Sequence, residues 1–280
     1  MEPRVSVIIP SFDGIRNGNV EKLKSQLNSQ TISPHEIIVV AGVAPNGKAR
    51  NDGACKAKGD FLIFIDDDVT LGSNSVIENL LNPFRDNLNI GMTGASQLIP
   101  EDSNWFQKLS ARQIPRSFFP VQKELVDSDM VTHACLCIPA KLFKDIGMEN
   151  PYIISGTDPD LRHRVREAGY RVCVVPATWG YHPTPKTLIS FLHSAFIKGR
   201  NSASVRLTHP ELIYEVEDEF TKKFVPRKPF PIRIARIIFR MLYMLLTLKM
   251  FGLAFYMAYS IGNLYGTFAG ASTGWTTDNR

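Results

Sequence analysis

Short apolar runs alternate with amphipathic segments along the first part of the chain. Three strand-like runs cover residues 5–9, 36–40 and 61–65. The segments between them have helical periodicity, as Val20, Leu23 and Leu27 illustrate with their spacings of three and four. This alternation predicts an α/β fold with a mixed, mainly parallel sheet flanked by helices. Ligands of such sheets bind beyond the carboxyl ends of the strands, where Pro10 and Asp66 stand.

A further helix and strand follow later in the chain. Asp158 directly precedes Pro159, and Gly169 closes the same segment, which predicts a short helix with Asp158 at or near its N-cap and proline at its first position. Residues 171–176 then form a strand. Cys135 and Cys137 alternate within an apolar stretch and are interpreted as core residues with reduced thiols. Together with the absence of a signal peptide, they favour a cytoplasmic setting.

The charge of the chain is concentrated at its carboxyl end. The net charge is +5, but residues 222–277 contain eight Lys or Arg and no acid, which leaves the remainder at about −3 (5 − 8). The basicity therefore belongs to the tail, and a nucleic-acid-binding face is not expected. We divide the chain here into an α/β domain, residues 1–221, and basic, hydrophobic C-terminal helices, residues 222–280.

The tail has the composition of a segment that binds a membrane. Arg233, Arg236 and Arg240 share one side of an apolar helix, which predicts an amphipathic helix in the membrane plane. Residues 250–271 are long enough to span a bilayer, so spanning and interfacial arrangements both stay open. The alternative is a helical hairpin that packs on the α/β domain or on another copy of the chain, as in a homo-oligomer. We expect the protein on the cytoplasmic side of a membrane.

Three adjacent carboxylates, Asp66, Asp67 and Asp68, follow the buried strand 61–65. Such groups repel one another and resist desolvation, so a cation is expected beside them. Alternation along a strand would let Asp66 and Asp68 converge on one Mg²⁺ or Mn²⁺ ion, which would in turn bind a nucleoside diphosphate. The alternative is a solvated turn or a cluster that caps a helix.

Six segments in order carry a family resemblance: "VSVIIPSFDG", "EIIVV", "KARNDGACKAKGDFLIFIDDDV", "CIPAKLFKDIG", "TDPDLRHRVREAGYRV" and "YHP". Together they span about residues 5–183, and the combination resembles the family 2 glycosyltransferases of the GT-A fold. The resemblance implies a nucleotide-sugar donor and a divalent metal, Mn²⁺ or Mg²⁺.

The resemblance also assigns roles to particular positions. The matching residues are Pro10, Ser11, Phe12 and Asp13 at the nucleoside, Arg50 and Asn51 beside the nucleotide, Asp66 and Asp68 at the metal with Asp67 between them at the donor, His182 in the metal shell, Arg200 at the diphosphate, and Asp158 as the general base. Simpler roles stay open: a helix cap for Asp158, a solvated helix position for Arg50, a satisfied loop histidine for His182, and a turn with Gly14 for Asp13.

Two positions depart from the family pattern. "AGVAP" at residues 41–45 replaces the usual Asp-Asp-Gly-Ser, which leaves the donor base open among UDP-, GDP- and dTDP-sugars. Thr157 stands where the family has a Glu before its catalytic Asp. No "QxxRW"-like motif of processive members is present, so transfer of one sugar per encounter is expected.

The expected function is therefore inverting, metal-dependent transfer of a sugar to a hydroxyl of a glycan or lipid-linked acceptor at a membrane surface. A sugar-nucleotide pyrophosphorylase is one alternative, although "PSFDGIRNG" is a poor phosphate loop. A pseudoenzyme that binds nucleotide-sugar without turnover is the other.

Overall fold

A computed structural model describes residues 3–85, 89–114, 117–154, 156–208, 215–216, 224–225 and 229–269. Contacts divide the chain into two units. The first comprises residues 1–100, 118–183 and 218–223, and the second comprises residues 101–117, 184–217 and 224–280. This division differs from the boundary at residue 222 that the composition predicts, because the long helix that begins at Leu188 belongs to the second unit.

The first unit is built on one eight-stranded sheet. Its strands are β1 (Val5–Ser11), β2 (Glu36–Ala41), β3 (Phe61–Ile65), β4 (Thr70–Leu71), β5 (Ile90–Leu98), β6 (Val126–Asp127), β7 (Cys135–Pro139) and β8 (Arg171–Tyr181). The order is β2-β1-β3-β7-β5-β8-β4, and β6 pairs with β8. Strands β1, β2, β3, β5 and β8 share one direction, while β7 runs against both of its neighbours. The predicted mixed, mainly parallel sheet is confirmed.

Helices cover both faces of this sheet. Those of the first unit are α1 (Asn19–Asn28), α2 (Asn46–Lys56), α3 (Val76–Arg85), α5 (Ala140–Asp145) and α6 (Thr157–Glu167). Successive residues of β3 alternate between two core clusters: Ile63 packs with α1 and α3, and Phe64 packs with α2, α5 and α6. This two-sided burial explains why the strands read as continuous apolar runs.

Helix α6 begins differently from the prediction. Its N-cap is Gly156, with a φ of 93°, and Asp158 is the second helical residue and caps nothing. Proline 159 consequently stands at the third helical position instead of the first. The carboxylate of Asp158 is thereby turned to partners outside its own helix.

The second unit is helical. It contains α4 (Trp105–Gln113), α7 (Leu188–Thr208), α8 (Phe230–Leu246) and α9 (Met250–Phe268), with a short antiparallel pair of β9 (Glu215–Val216) and β10 (Phe224–Val225). Helices α7 and α9 pack so closely that a Cβ on Gly262 would meet the carbonyl oxygen of Phe196 at 2.0 Å. Among the described residues, no helix combines the length and the hydropathy that crossing a membrane requires.

Candidate active site

The three acids, Asp66, Asp67 and Asp68, lie in a turn just beyond the carboxyl end of β3, which we call the acid turn. The backbone N–H of Val69 closes this turn on the carbonyl of Asp66 at 3.1 Å. The side-chain amide of Asn19 donates to the carbonyls of Asp67, at 2.6 Å, and Val69, at 3.3 Å. Since the acids are outside the strand, their directions follow from the turn and not from strand alternation.

Asp66 and Asp67 have different polar partners. Oδ1 of Asp66 accepts from the guanidinium of Arg50 at 2.8 Å, and Arg50 is only 4% exposed. Arg50 is therefore a buried partner of the acid turn, not a solvated helix residue. Asp67 accepts from the hydroxyl of Ser11 at 2.6 Å. Burial raises the pKa of Asp67, against the opposing effect of the Ser11 hydrogen bond.

Asp68 lies between two basic side chains. Its Oδ2 is 3.0 Å from the guanidinium of Arg16, and its Oδ1 is 3.2 Å from Nε2 of His182. Arg16 also approaches Asp67 at 3.7 Å. Burial alone would raise the pKa of Asp68, but His182 and then Arg16 outweigh burial and lower it. The expected cationic partner of the acid turn is thus supplied in part by the chain itself.

The side chains of the acid turn and His182 fit a metal ion that takes its remaining ligands from a substrate. Within the described ranges, no group of three or more His, Cys, Asp or Glu is arranged to hold a metal ion. The oxygen of Asp68 and the nitrogen of His182 are nevertheless adjacent, and Mg²⁺ or Mn²⁺ can be bound by few protein ligands when phosphate oxygens supply others. Asp66 is engaged by Arg50, so its role as a direct ligand stays a prediction.

The predicted nucleoside residues lie where β1 ends. Pro10 and Ser11 are its last residues, and Phe12 follows with an exposed side chain. The carboxylate of Asp13 accepts the backbone N–H groups of Ile15, at 3.0 Å, and Arg16, at 2.7 Å. Asp13 therefore forms a turn, as its simpler role anticipated, and this turn positions the loop that carries Arg16.

Asn51 makes a reciprocal contact with the loop before α6. Its amide donates to the carbonyl of Glu149 at 2.8 Å, and its carbonyl accepts the backbone N–H of Glu149 at 2.9 Å. These bonds use both ends of the side chain, so the structure shows Asn51 as a brace for this loop. Its predicted contact with the nucleotide stays a prediction.

Asp158 is joined to two residues that sequence reasoning missed. Its Oδ1 accepts from the backbone N–H of His133 at 2.7 Å and lies 2.6 Å from Nδ1 of the same residue. The other ring nitrogen of His133 is 2.5 Å from Oε1 of Glu149. A lone histidine and a lone glutamate carry no motif, and only the fold brings positions 133, 149 and 158 together.

Arg50 links the acid turn to this second cluster. It is hydrogen-bonded to Asp66, and its charge acts on the pKa of both His133 and Asp158. The acid turn, Arg50 and Asp158 therefore belong to one site. Arg200, the remaining predicted site residue, is on α7 in the second unit, and its contact with a diphosphate stays a prediction.

Residues 3–200 match the family described as Glycosyltransferase like family 2. This match covers more than half of the chain, so the protein belongs to that family and is a glycosyltransferase with a GT-A fold. A search of curated protein sequences finds no significant match.

Solved structures similar to this chain include a mannosyltransferase. The mannosyltransferase PcManGT from Pyrobaculum calidifontis, solved with GDP-Man and Mn²⁺, is 13% identical with a TM-score of 0.61, and the match covers 95% of this chain and 88% of that one. GalNAc-T7, solved with UDP, GalNAc and Mn²⁺, is 14% identical with a TM-score of 0.49, over 75% of this chain and 51% of that one. S. aureus TarS is 15% identical with a TM-score of 0.47, over 73% and 40%. At such identities, the PcManGT likeness establishes the fold alone.

Proposed function

We propose that this protein is an inverting, metal-dependent glycosyltransferase that moves one sugar from a nucleotide-sugar to a hydroxyl acceptor. The observation that carries the proposal is the convergence of the acid turn and Asp158 on Arg50. The residues proposed to bind the diphosphate and the residue proposed to accept the proton are then joined by one buried guanidinium. The nucleotide-sugar and Mn²⁺ in the PcManGT structure support the same reading.

The acid turn is the proposed binding site for the donor diphosphate. Asp68 and His182 would hold Mn²⁺ or Mg²⁺, which supplies positive charge for the leaving diphosphate. Arg16, whose side chain is about half exposed, is free to exchange its carboxylate partners for phosphate oxygens when donor binds. The base of the donor stays open, with UDP-, GDP- and dTDP-sugars as candidates.

Asp158 is the proposed general base. As the acceptor oxygen bonds to the anomeric carbon, its proton passes to the Asp158 carboxylate, and the bond from that carbon to the diphosphate breaks. Although burial opposes ionisation, the charges of His133, Arg162 and Arg50 hold the pKa of Asp158 well below its usual range. The carboxylate is therefore ionised, which is the form able to take the acceptor proton, and one displacement inverts the anomeric centre.

Donor binding tests this proposal first. Thermal stabilisation by UDP-, GDP- and dTDP-sugars, each with and without Mn²⁺, should identify one donor class that needs the metal. Asp68→Asn should abolish the metal-dependent part, whereas Asp60→Asn, at an exposed ion pair with Arg4, should keep it. A protein that binds donor but neither transfers nor hydrolyses it would instead be a nucleotide-sugar-binding pseudoenzyme, and pyrophosphate-dependent turnover would identify a pyrophosphorylase.

We also propose that the second unit attaches the enzyme to the cytoplasmic face of an anionic membrane through α8. This helix exposes a row of large apolar side chains, among them Phe239 at 74% and Leu246 at 83%. Arg240 lies over the ring of Tyr256 at 5.3 Å, and Lys249 lies over that of Tyr243 at 4.9 Å. Basic and aromatic side chains beside an apolar face are typical of helices that lie in the membrane interface.

The composition of the tail supports a membrane over a protein partner for α8. Residues 222–277 contain no acid, so anionic lipid headgroups are the complementary surface. Of the predicted arginine stripe, the side chain of Arg233 lies outside the described residues. We therefore propose that the hydroxyl acceptor is lipid-linked, as membrane attachment would favour.

Flotation with liposomes tests this attachment. The full chain should float with vesicles that contain phosphatidylglycerol, and Phe239→Glu should reduce flotation, while Tyr152→Glu, at an exposed aromatic of the first unit, should not. Flotation that is equal with neutral and anionic vesicles would contradict the electrostatic part. A lack of flotation together with dimers in light scattering would assign the apolar surface of α8 to a second copy of the chain.

A further inference from the structure

His133 lies fully enclosed between two carboxylates. Its side chain is 3% exposed, that of Glu149 is 0% exposed, and that of Asp158 is 32% exposed. The edge of the ring also contacts Phe64, whose centroid is 6.1 Å away. The row of Glu149, His133 and Asp158 thus runs from the interior of the first unit to the accessible surface of the site.

Both hydrogen bonds between His133 and Asp158 end on the same carboxylate oxygen. The backbone N–H and Nδ1 lie 2.7 and 2.6 Å from Oδ1. In the part of the chain that the structure describes, no hydrogen bond reaches Oδ2. The arrangement fixes the carboxylate through one oxygen and leaves the other for a ligand.

We propose that His133 is a positioning residue for Asp158, and that Glu149 keeps its ring protonated and oriented for that task. The inference rests on the proposed function, since it takes Asp158 to be the base. His133 itself does not exchange a proton with the acceptor. His133 holds Oδ1 of the ionised Asp158 carboxylate, so that Oδ2 faces the acceptor hydroxyl.

The charges around the ring favour the imidazolium form. Burial and the guanidinium of Arg50 oppose the positive charge, but the carboxylates of Glu149 and Asp158 outweigh them and raise the pKa of His133 to about 9. A ring that donates from both nitrogens must carry both protons. Arg162 adds a positive charge on the side of Asp158.

The same row is tied to the donor side of the site by α2. Asn51 holds the backbone of Glu149, and its neighbour Arg50 binds Asp66 of the acid turn. One helix thus carries a contact to the positioning row and a contact to the acid turn. This connection gives a structural role to two adjacent polar residues of α2, Arg50 and Asn51.

Nuclear magnetic resonance of the full chain with ¹⁵N-labelled histidine tests the charge state directly. The sequence has six histidines, and His133→Gln assigns the resonance by its disappearance. At pH 8 the His133 ring should show two protonated nitrogens in the wild-type protein. Glu149→Gln should return the ring to a neutral form at that pH. A neutral His133 ring in the wild-type protein would overturn the inference.

Turnover of the donor selected by the thermal screen, with a membrane lipid extract as acceptor, tests the positioning. His133→Gln should lower kcat roughly 10- to 100-fold, by analogy with the loss that follows removal of the hydrogen-bonding partner of a metal ligand. The KM for donor should stay unchanged. Because Asp158 then loses its neighbouring positive charge, the pKa of Asp158 should rise, and on acidification the rate of the variant should begin to fall at a higher pH than that of the wild-type enzyme.

A matched control separates this effect from damage to the core. Thr93→Val removes a buried side-chain hydrogen bond to the carbonyl of Leu80, at 2.8 Å, far along the chain from Asp158. It should lower stability and leave the pH profile unchanged. Should His133→Gln fail to fold, Glu149→Gln gives the same comparison, with a smaller loss of kcat.

Two failures can be told apart. The positioning role alone would be overturned if the wild-type enzyme transfers sugar and the His133→Gln and Glu149→Gln variants keep its kcat and its pH profile. A wild-type protein that binds donor but transfers no sugar would overturn the proposed function, whatever the charge state of His133.

Discussion

Raising the pH should destabilise the folded protein through His133. In the native state the pKa of this histidine is raised from 6.5 to about 9. Between these values the native ring holds a proton that the unfolded chain has released. The contribution of the ring is therefore fully present below pH 6.5 and is lost as pH rises through 9.

The magnitude follows from linkage. When the native state binds one proton more than the unfolded state, the free energy of unfolding falls by about 1.4 kcal/mol per pH unit. Over the interval from 6.5 to about 9 the sum is about 3 kcal/mol. Such a loss is a large part of the net stability of an ordinary domain, which is roughly 5–15 kcal/mol.

Urea unfolding followed by tryptophan fluorescence, at several pH values from 6 to 9.5, measures this loss. The wild-type protein and Thr93→Val should lose stability in parallel, whereas His133→Gln should start lower and stay nearly flat. The other histidines contribute equally to all three proteins and cancel in the comparison. If the stability of His133→Gln falls as steeply with pH as that of the wild-type protein, the pH dependence does not come from His133.

Three other changes have defined outcomes. Asp158→Asn should slow sugar transfer by roughly 100- to 10,000-fold with little change in donor affinity, and steady-state kinetics at saturating donor would show it. Asp68→Ala should remove the Mn²⁺ dependence of nucleoside diphosphate binding in calorimetry, and an unchanged dependence would contradict the metal site. Gly262→Ala should destabilise the α7–α9 pair by about 1–3 kcal/mol in thermal unfolding, because its Cβ would meet backbone of Phe196 at 2.0 Å; an unchanged melting temperature would contradict that close contact.

The sheet and its acid turn could be predicted because both follow from local sequence patterns. Buried strands need apolar residues on both faces, so β3 stands out as a continuous apolar run and β1 as one interrupted by Ser6, and Asp66 to Asp68 end the β3 run abruptly. Directions of side chains were less predictable. The three acids lie in a turn, so their partners depend on which loops reach that turn.

The surroundings of Asp158 could not be predicted, for a physical reason. His133 and Glu149 are separated from it by 25 and 9 residues, and their contact depends on how β7, α5 and α6 pack. Arg16 is a similar case: a turn built by Asp13 aims its side chain at Asp68 across 52 residues. Single charged residues carry no periodicity, so only their placement in the fold gives them partners.

The most direct test of the account is a single transfer reaction, analysed for the anomeric configuration of its product. The donor chosen by thermal stabilisation is incubated with a membrane lipid extract, in Mn²⁺ and in EDTA, and the product is examined by ¹H NMR. We expect transfer in Mn²⁺, none in EDTA, and an anomeric configuration opposite to that of the donor. Transfer that persists in EDTA, or that retains the configuration of the donor, would contradict it.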